Sequence, residues 1–153
     1  MVSIFSYAYT IPFPKDSKIT LSQTFEALRH KCRAPMAFVP PITSSEVLED
    51  SPTFIKRKVG MRSGVEMIDE IDLYAPTLAV FRGSTGQVVT NLISENAQGE
   101  RFLTFTFYMP FPEIEPGSEA EATNEREMKE VAKLSVTQSM KTILQMFEEG
   151  KLN

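Results

Sequence analysis

The sequence predicts one α+β domain over residues 1–153, in which a curved antiparallel sheet of six or seven strands wraps around one long C-terminal helix. Two patterns predict this fold. Residues 43–109 alternate apolar and polar side chains in short runs separated by turn residues, as strands joined by hairpins do. Residues 118–150 instead repeat apolar side chains every three or four positions, as an amphipathic helix does. The helix must bury its apolar stripe, and the sheet is the large surface left for it.

The N-terminal part predicts a strand, a helix and an irregular corner. Residues 2–11 alternate and end at two prolines. Residues 20–32 begin with Thr20 and Gln23, which match a helix capping box. The apolar stripe of this helix consists of Leu21, Phe25, Leu28 and Cys32. His30 lies off the stripe and is expected to be exposed, whereas Cys32 is expected in the core. Residues 34–39 form the corner.

The middle of the chain predicts a meander of strands. The predicted strands are 43–49, 53–59, 65–74, 78–82, 87–95 and 101–109. Turn residues separate them, including a glycine-bounded turn at 83–86. Strands joined by such short turns should pair with their neighbours as antiparallel hairpins.

The last segment carries sequence signals for both the start and the end of a helix. Ser118 and Glu121 match a capping box, and Gly150 stands where a C-terminal cap belongs. Its apolar stripe is Met128, Val131, Ala132, Val136, Met140, Ile143, Leu144 and Phe147. A helix of this length is about 45 Å long. It is therefore long enough to cross the whole sheet, and a pocket between sheet and helix is expected.

One charged pair is predicted on the apolar face of the sheet. A hairpin closing near residues 61–63 would set Val59 opposite Val65 and Arg57 opposite Met67, so that Arg57 and Asp69 become diagonal neighbours. Two interpretations stay open. The pair could be a structural ion pair that fixes the strand register. Alternatively, Arg57 holds a ligand oxygen while Asp69 orients it or acts as a base.

Three further polar side chains are candidates for the same pocket. Asn91 alternates with apolar residues and is expected to point inward, and Tyr7 and Tyr9 share a face with Phe5. With Arg57 and Asp69 they complete the candidate catalytic set. The predicted apolar ligand contacts are Met67, Ile71, Phe105, Phe107, Val136, Met140 and Ile143.

Composition excludes several classes of function. A net charge of −4 disfavours nucleic acid as the main partner. One histidine and one cysteine cannot build a His- or Cys-rich metal centre, and no nucleotide-binding glycine motif is present, so neither metal nor cofactor is expected. No apolar run approaches the roughly 20 residues of a membrane span. The first residues lack the pattern of a secretory signal, and the single cysteine suits a reducing compartment, so a cytoplasmic location is expected.

Several motifs resemble one superfamily. They are Cys32-Arg33-Ala34-Pro35, Phe38-Val39, residues 46–50, and Gly64-Val65 followed by residues 69–76. With the order of elements, they resemble the START-like (SRPBCC, helix-grip) superfamily, and more narrowly a small subfamily without an assigned function. The resemblance implies a hydrophobic cavity and a small apolar or aromatic ligand. In the polyketide cyclase branches it also implies cofactor-free ring closure, dehydration or isomerisation.

Three functions follow as alternatives. The chain binds or carries a small hydrophobic molecule, aromatic, polyketide-like or terpenoid-like. Alternatively, it is a cofactor-independent cyclase, dehydratase or isomerase of secondary metabolism that uses the same pocket. The third alternative is a protein-interaction module without a small ligand. A homodimer is open in each case, and membrane insertion is expected in none.

Overall fold

The computed structural model describes residues 2–153, which form seven strands, two α-helices and one 3-10 turn. In chain order these are β1 (Ser3–Pro12), α1 (Leu21–Arg33), the 3-10 turn (Pro35–Ala37), β2 (Ile42–Asp50), β3 (Phe54–Met61), β4 (Glu66–Tyr74), β5 (Leu78–Gly83), β6 (Val88–Glu95), β7 (Arg101–Phe111) and α2 (Glu119–Glu148). Every predicted element is present, with ends displaced by one or two residues.

The strands form one antiparallel sheet in the order β1-β7-β6-β5-β4-β3-β2. Strands β2 to β7 are the predicted meander, in which each strand pairs with the next one along the chain. Strand β1 pairs with β7 at the far edge and brings the count to seven. The helices α1 and α2 therefore have a single concave face to pack against.

The predicted register of the β3–β4 hairpin is wrong by two residues. Gly60 pairs with Glu66, which sets Arg57 directly opposite Asp69 instead of opposite Met67. The turn is centred later than expected, because Gly64 adopts a positive φ of 92° and closes the loop on Met61. The charged pair thus meets face to face on the sheet rather than diagonally.

Helix α2 lies across the concave face and packs on β1 and β7. Ser118 caps its start by accepting a hydrogen bond from the Glu121 backbone N–H. The reciprocal half of the predicted capping box is absent, because the Glu121 carboxylate instead accepts from the Gly117 backbone and the Ser3 hydroxyl. Gly150, at φ 71°, ends the helix as predicted.

Helix α1 begins with the complete Thr20–Gln23 capping box that the sequence predicts. Its buried face joins α2 and the sheet in one apolar core. Cys32 is fully buried and His30 is exposed, both as expected. The last turn of α1 lies close to β3, and this places the polar side chains described next.

Candidate functional site

A cavity of about 750 Å³ lies between the concave face of the sheet, the end of α1 and the N-terminal half of α2. Its walls are mainly apolar and include Met67, Phe81, Val89, Phe105, Phe107, Met109, Met128, Val131 and Ala132. This is the cavity predicted between sheet and helix, and its size is usual for a small-molecule site.

The cavity has an exposed mouth and a buried floor. Its exposed lining residues are Ser63, Val65, Thr85, Pro112 and Glu113, from the tips of two hairpins and the segment after β7. At the other end lie Lys31, Arg57 and Asp69, each no more than 4% exposed. A molecule entering past the hairpins and Glu113 would therefore meet apolar walls before it reaches the buried charged groups.

Arg57 is held by four hydrogen bonds. Its Nε and Nη2 donate to Asp69 Oδ2 over 3.1 and 2.9 Å. Its Nη1 donates to the backbone oxygens of Lys31 and Cys32 over 3.2 and 3.0 Å. The latter are among the carbonyls that a helix leaves without partners at its C-terminal end. Arg57 therefore connects the end of α1 to the β3–β4 pair, and one of its five N–H groups has no partner among the described residues.

Lys31 is the other cationic group on the floor. Its Nζ donates to Asn91 Oδ1 over 2.6 Å and lies 4.3 and 4.9 Å from the ring centres of Phe105 and Phe81. The pKa of Lys31 is lowered to about 7, and burial is the main cause; among the smaller effects, the charge of Cys32 raises the pKa, that of Arg57 lowers it and that of Asp69 raises it. The side chain can therefore exist as a neutral amine near neutral pH.

Asp69 is paired on one oxygen only. Burial raises its pKa, although the charge and the hydrogen bonds of Arg57 oppose the rise. Its buried Oδ1 has no hydrogen-bond partner among the described residues. A Cβ at Gly83 would lie 3.3 Å from Asp69 Oδ1 and 2.6 Å from Met67 Sδ. Glycine at this position therefore leaves the space that both side chains occupy beside the cavity.

The structure brings together part of the predicted site set. Arg57, Asp69, Met67, Phe105 and Phe107 line the cavity. Asn91 is fully buried, as expected from its alternation, but it lies outside the cavity lining and accepts a hydrogen bond from Lys31. Its Nδ2 has no hydrogen-bond partner among residues 2–153.

The remaining predicted contacts lie outside the cavity lining. They are Tyr7, Tyr9, Ile71, Val136, Met140 and Ile143. The two tyrosines are half-buried, and their rings stack 6.4 Å apart in the part of the concave face that packs with the core. The apolar residues fill the core, because the C-terminal half of α2 packs solidly where its N-terminal half leaves space.

Lys31 is the charged residue of the cavity floor that the sequence did not predict. A lysine is normally assigned to a solvent-exposed helix face. A signal was nevertheless present, because Lys31 follows Ala27 and Leu28 at helical spacing and both are fully buried. Among residues 2–153, no group of three or more His, Cys, Asp or Glu side chains could hold a metal ion. No helix in the same range is long and apolar enough to cross a membrane.

Comparison with known proteins connects this chain with secondary metabolism. The family model described as acetylaranotin biosynthesis cluster protein L matches residues 7–150. The protein of that description from Aspergillus terreus (strain NIH 2624 / FGSC A1156) is 27% identical over 154 residues, which cover 97% of this chain and 93% of the relative.

Solved structures show the same fold at low sequence identity. The Zhui aromatase/cyclase from Streptomyces sp. R1128 matches with a TM-score of 0.73 and 10% identity, over 94% of this chain and 96% of its own. The di-domain aromatase/cyclase BexL of the BE-7585A biosynthetic pathway matches with a TM-score of 0.63 and 11% identity, over 91% of this chain. This chain spans 50% of the di-domain protein. The architecture is the helix-grip fold of these aromatase/cyclases.

Proposed function

The chain belongs to the family described as acetylaranotin biosynthesis cluster protein L, and we propose that it binds a small hydrophobic molecule of secondary metabolism between the sheet and α2. The observation that carries the proposal is the cavity of about 750 Å³, with apolar walls and a small charged floor. Small-molecule sites combine these two features, because apolar walls supply affinity and a few fixed polar groups supply orientation.

The lining favours an aromatic or polyketide-like ligand over a purely aliphatic one. Phe81, Phe105 and Phe107 present rings to the cavity, and rings stabilise one another in stacked or edge-to-face contacts. At the floor, Arg57 has one unused N–H and Lys31 offers an amine, so a ligand oxygen would find donors there. A terpenoid-like ligand would use the same walls but would gain less from the rings.

Cofactor-free catalysis as a cyclase, dehydratase or isomerase is the second candidate. The observation that favours it is a pair of groups whose pKa values move toward each other, since burial lowers the pKa of Lys31 and raises that of Asp69. Such shifts beside a cavity are typical of groups that move protons. The aromatase/cyclase descriptions of the structural neighbours support this candidate as well. A protein-interaction module without a small ligand would be expected to have a filled interior, and the cavity argues against it.

The binding proposal is tested by filling the cavity. Ala132 is 2% exposed and lines the cavity from α2. We expect wild-type protein to bind 2-naphthalenemethanol, measured by isothermal titration calorimetry, and Ala132→Phe to lose at least about tenfold in affinity while keeping its far-UV circular dichroism. The matched control is Leu134→Phe on the same helix, at a position 50% exposed, which should bind like wild type. Equal affinity of wild type and Ala132→Phe would reject the cavity as the binding site.

A further inference from the structure

The environment of buried Lys31 differs from that expected of a lysine with a purely structural role. It is 4% exposed, and no carboxylate lies within ion-pair distance of it among residues 2–153. Asp69, the acidic group on the floor, gives its paired oxygen to Arg57. Within the described part of the chain, the single hydrogen-bond partner of Lys31 Nζ is the neutral oxygen of Asn91. An ammonium group without a counter-ion is costly to desolvate. If this side chain served packing alone, methionine would therefore stabilise the fold better than lysine.

The surroundings of Lys31 match those of lysines that act as nucleophiles. Such lysines are desolvated in an apolar pocket, or lie beside another cation, so that the amine loses its proton near neutral pH. Lys31 has both conditions, since the rings of Phe81 and Phe105 enclose it and the charge of Arg57 acts on it. It also lines the cavity in which a ligand would lie.

We propose that Lys31 forms an imine with an aldehyde or ketone carbonyl of the bound ligand, an inference that rests on the proposed binding function. The lone pair of Nζ adds to the carbonyl carbon, and the carbonyl π electrons move to the oxygen. The two amine protons leave with that oxygen as water, and a C=N bond remains. The step needs no oxidant or reductant. The ligand class is therefore a hydrophobic molecule that carries a reactive carbonyl.

The other groups around Lys31 have supporting roles. Asn91 holds the nitrogen by its hydrogen bond, and Arg57 fixes the backbone of Lys31 and Cys32 from β3. The titratable and charged groups that face Lys31 are Cys32 on α1, Arg57 on β3 and Asp69 on β4, and Glu113 lies at the mouth of the same cavity. At pH 7 about half of Lys31 would be a free amine, against roughly one in three thousand for a lysine with an ordinary pKa.

The experiment traps the imine by reduction. Wild-type protein is incubated with 2-naphthaldehyde and sodium cyanoborohydride at pH 7, and the modified residue is identified by peptide mass spectrometry. We expect modification at Lys31, at least about tenfold above that at any other of the chain's lysines. From pH 6 to pH 9, labelling of Lys31 should level off above about pH 8, whereas labelling of surface lysines should keep rising.

Two variants and one inert probe complete the test. Lys31→Met should abolish the selective labelling, and Lys58→Met, at an exposed position, should leave it unchanged. 2-Naphthalenemethanol has the same aromatic body without the carbonyl. If it binds and Lys31 stays unlabelled by the aldehyde, the imine is refuted and the binding function stands. If it does not bind and no lysine is selectively labelled, both proposals are refuted.

Discussion

At the level of single residues, the cost of burying Lys31 should appear as a pH dependence of stability. Burial lowers the pKa of Lys31 from 10.5 in the unfolded chain to about 7 in the folded one. Between these values the unfolded state binds a proton that the folded state has lost, so the free energy of unfolding rises with pH. Burial also raises the pKa of Cys32 above 9.0, which opposes the trend at higher pH. The window for Lys31 is therefore pH 7 to 9.

Lys31→Met should remove this dependence. In urea unfolding, wild type should gain up to about 1.4 kcal/mol of stability per pH unit across the window. The variant should be more stable than wild type at pH 7, and the difference should shrink toward pH 9. Lys58→Met serves as the control, since Lys58 is exposed, and should follow wild type. A stability difference that is the same at pH 7 and pH 9 would show that Lys31 does not lose its proton in the folded protein.

At the level of elements, Arg57 joins three of them, because it pairs with Asp69 on β4 and donates to two carbonyls at the end of α1. Asp69→Leu or Arg57→Met alone leaves a buried charge without a partner and should cost about 3–5 kcal/mol. The double change Arg57→Met, Asp69→Leu removes both charges. It should recover most of the loss but remain about 1–3 kcal/mol below wild type, because the carbonyls of Lys31 and Cys32 stay without donors.

Urea unfolding of the two single variants and the double variant measures these differences. The control is the exposed pair of Arg82 and Asp72, where Arg82→Met should change stability by less than about 1 kcal/mol. A double variant no more stable than either single one would contradict the prediction that Arg57 and Asp69 compensate each other's buried charge. One as stable as wild type would show that the contacts of Arg57 with α1 contribute nothing.

The helices and strands were predictable from the sequence, because each depends on interactions between residues that are close together in the chain. Alternation fixed the strands, and Thr20 with Gln23 fixed the start of α1. The predicted register of β3 and β4 was wrong by two residues, because the register depends on which residues belong to the turn at Gly64. Lys31 was missed for a different reason. Its burial follows from the way α1 packs on the sheet, and residue type alone predicts the opposite.

At the level of the whole molecule, the sequence predicted a cavity but not its position. The apolar stripe of α2 has the same character along its length, so Met140 and Ile143 were as good candidates for the wall as Ala132. The folded chain separates them, because Ala132 faces the space under the hairpin tips while Met140 and Ile143 pack into the core. Long-range packing decides which half of the helix borders the cavity, and no local sequence pattern predicts it.

The whole architecture depends on α2, and removing this helix should collapse it. A chain that ends at Gly117 lacks Ala132, Val136, Met140 and Ile143, all of them buried in the core or the cavity wall. The concave face would then expose a large apolar surface, of the kind that drives aggregation or leaves a molten state. We expect the fragment to lose its near-UV circular dichroism, to bind 8-anilinonaphthalene-1-sulfonate and to melt without a cooperative transition.

A milder change provides the control for that truncation. A chain that ends at Lys151 keeps all of α2 and the two hydrogen bonds that close its C-terminal turn at Gly150, and loses Leu152 and Asn153. Leu152 is 4% exposed, so its loss should lower the melting temperature by several degrees, yet the transition should stay cooperative. If the fragment ending at Gly117 also melted cooperatively and stayed monomeric, the sheet would not need α2 to cover it. The cavity would then be a groove of the sheet itself and not a space enclosed by sheet and helix together.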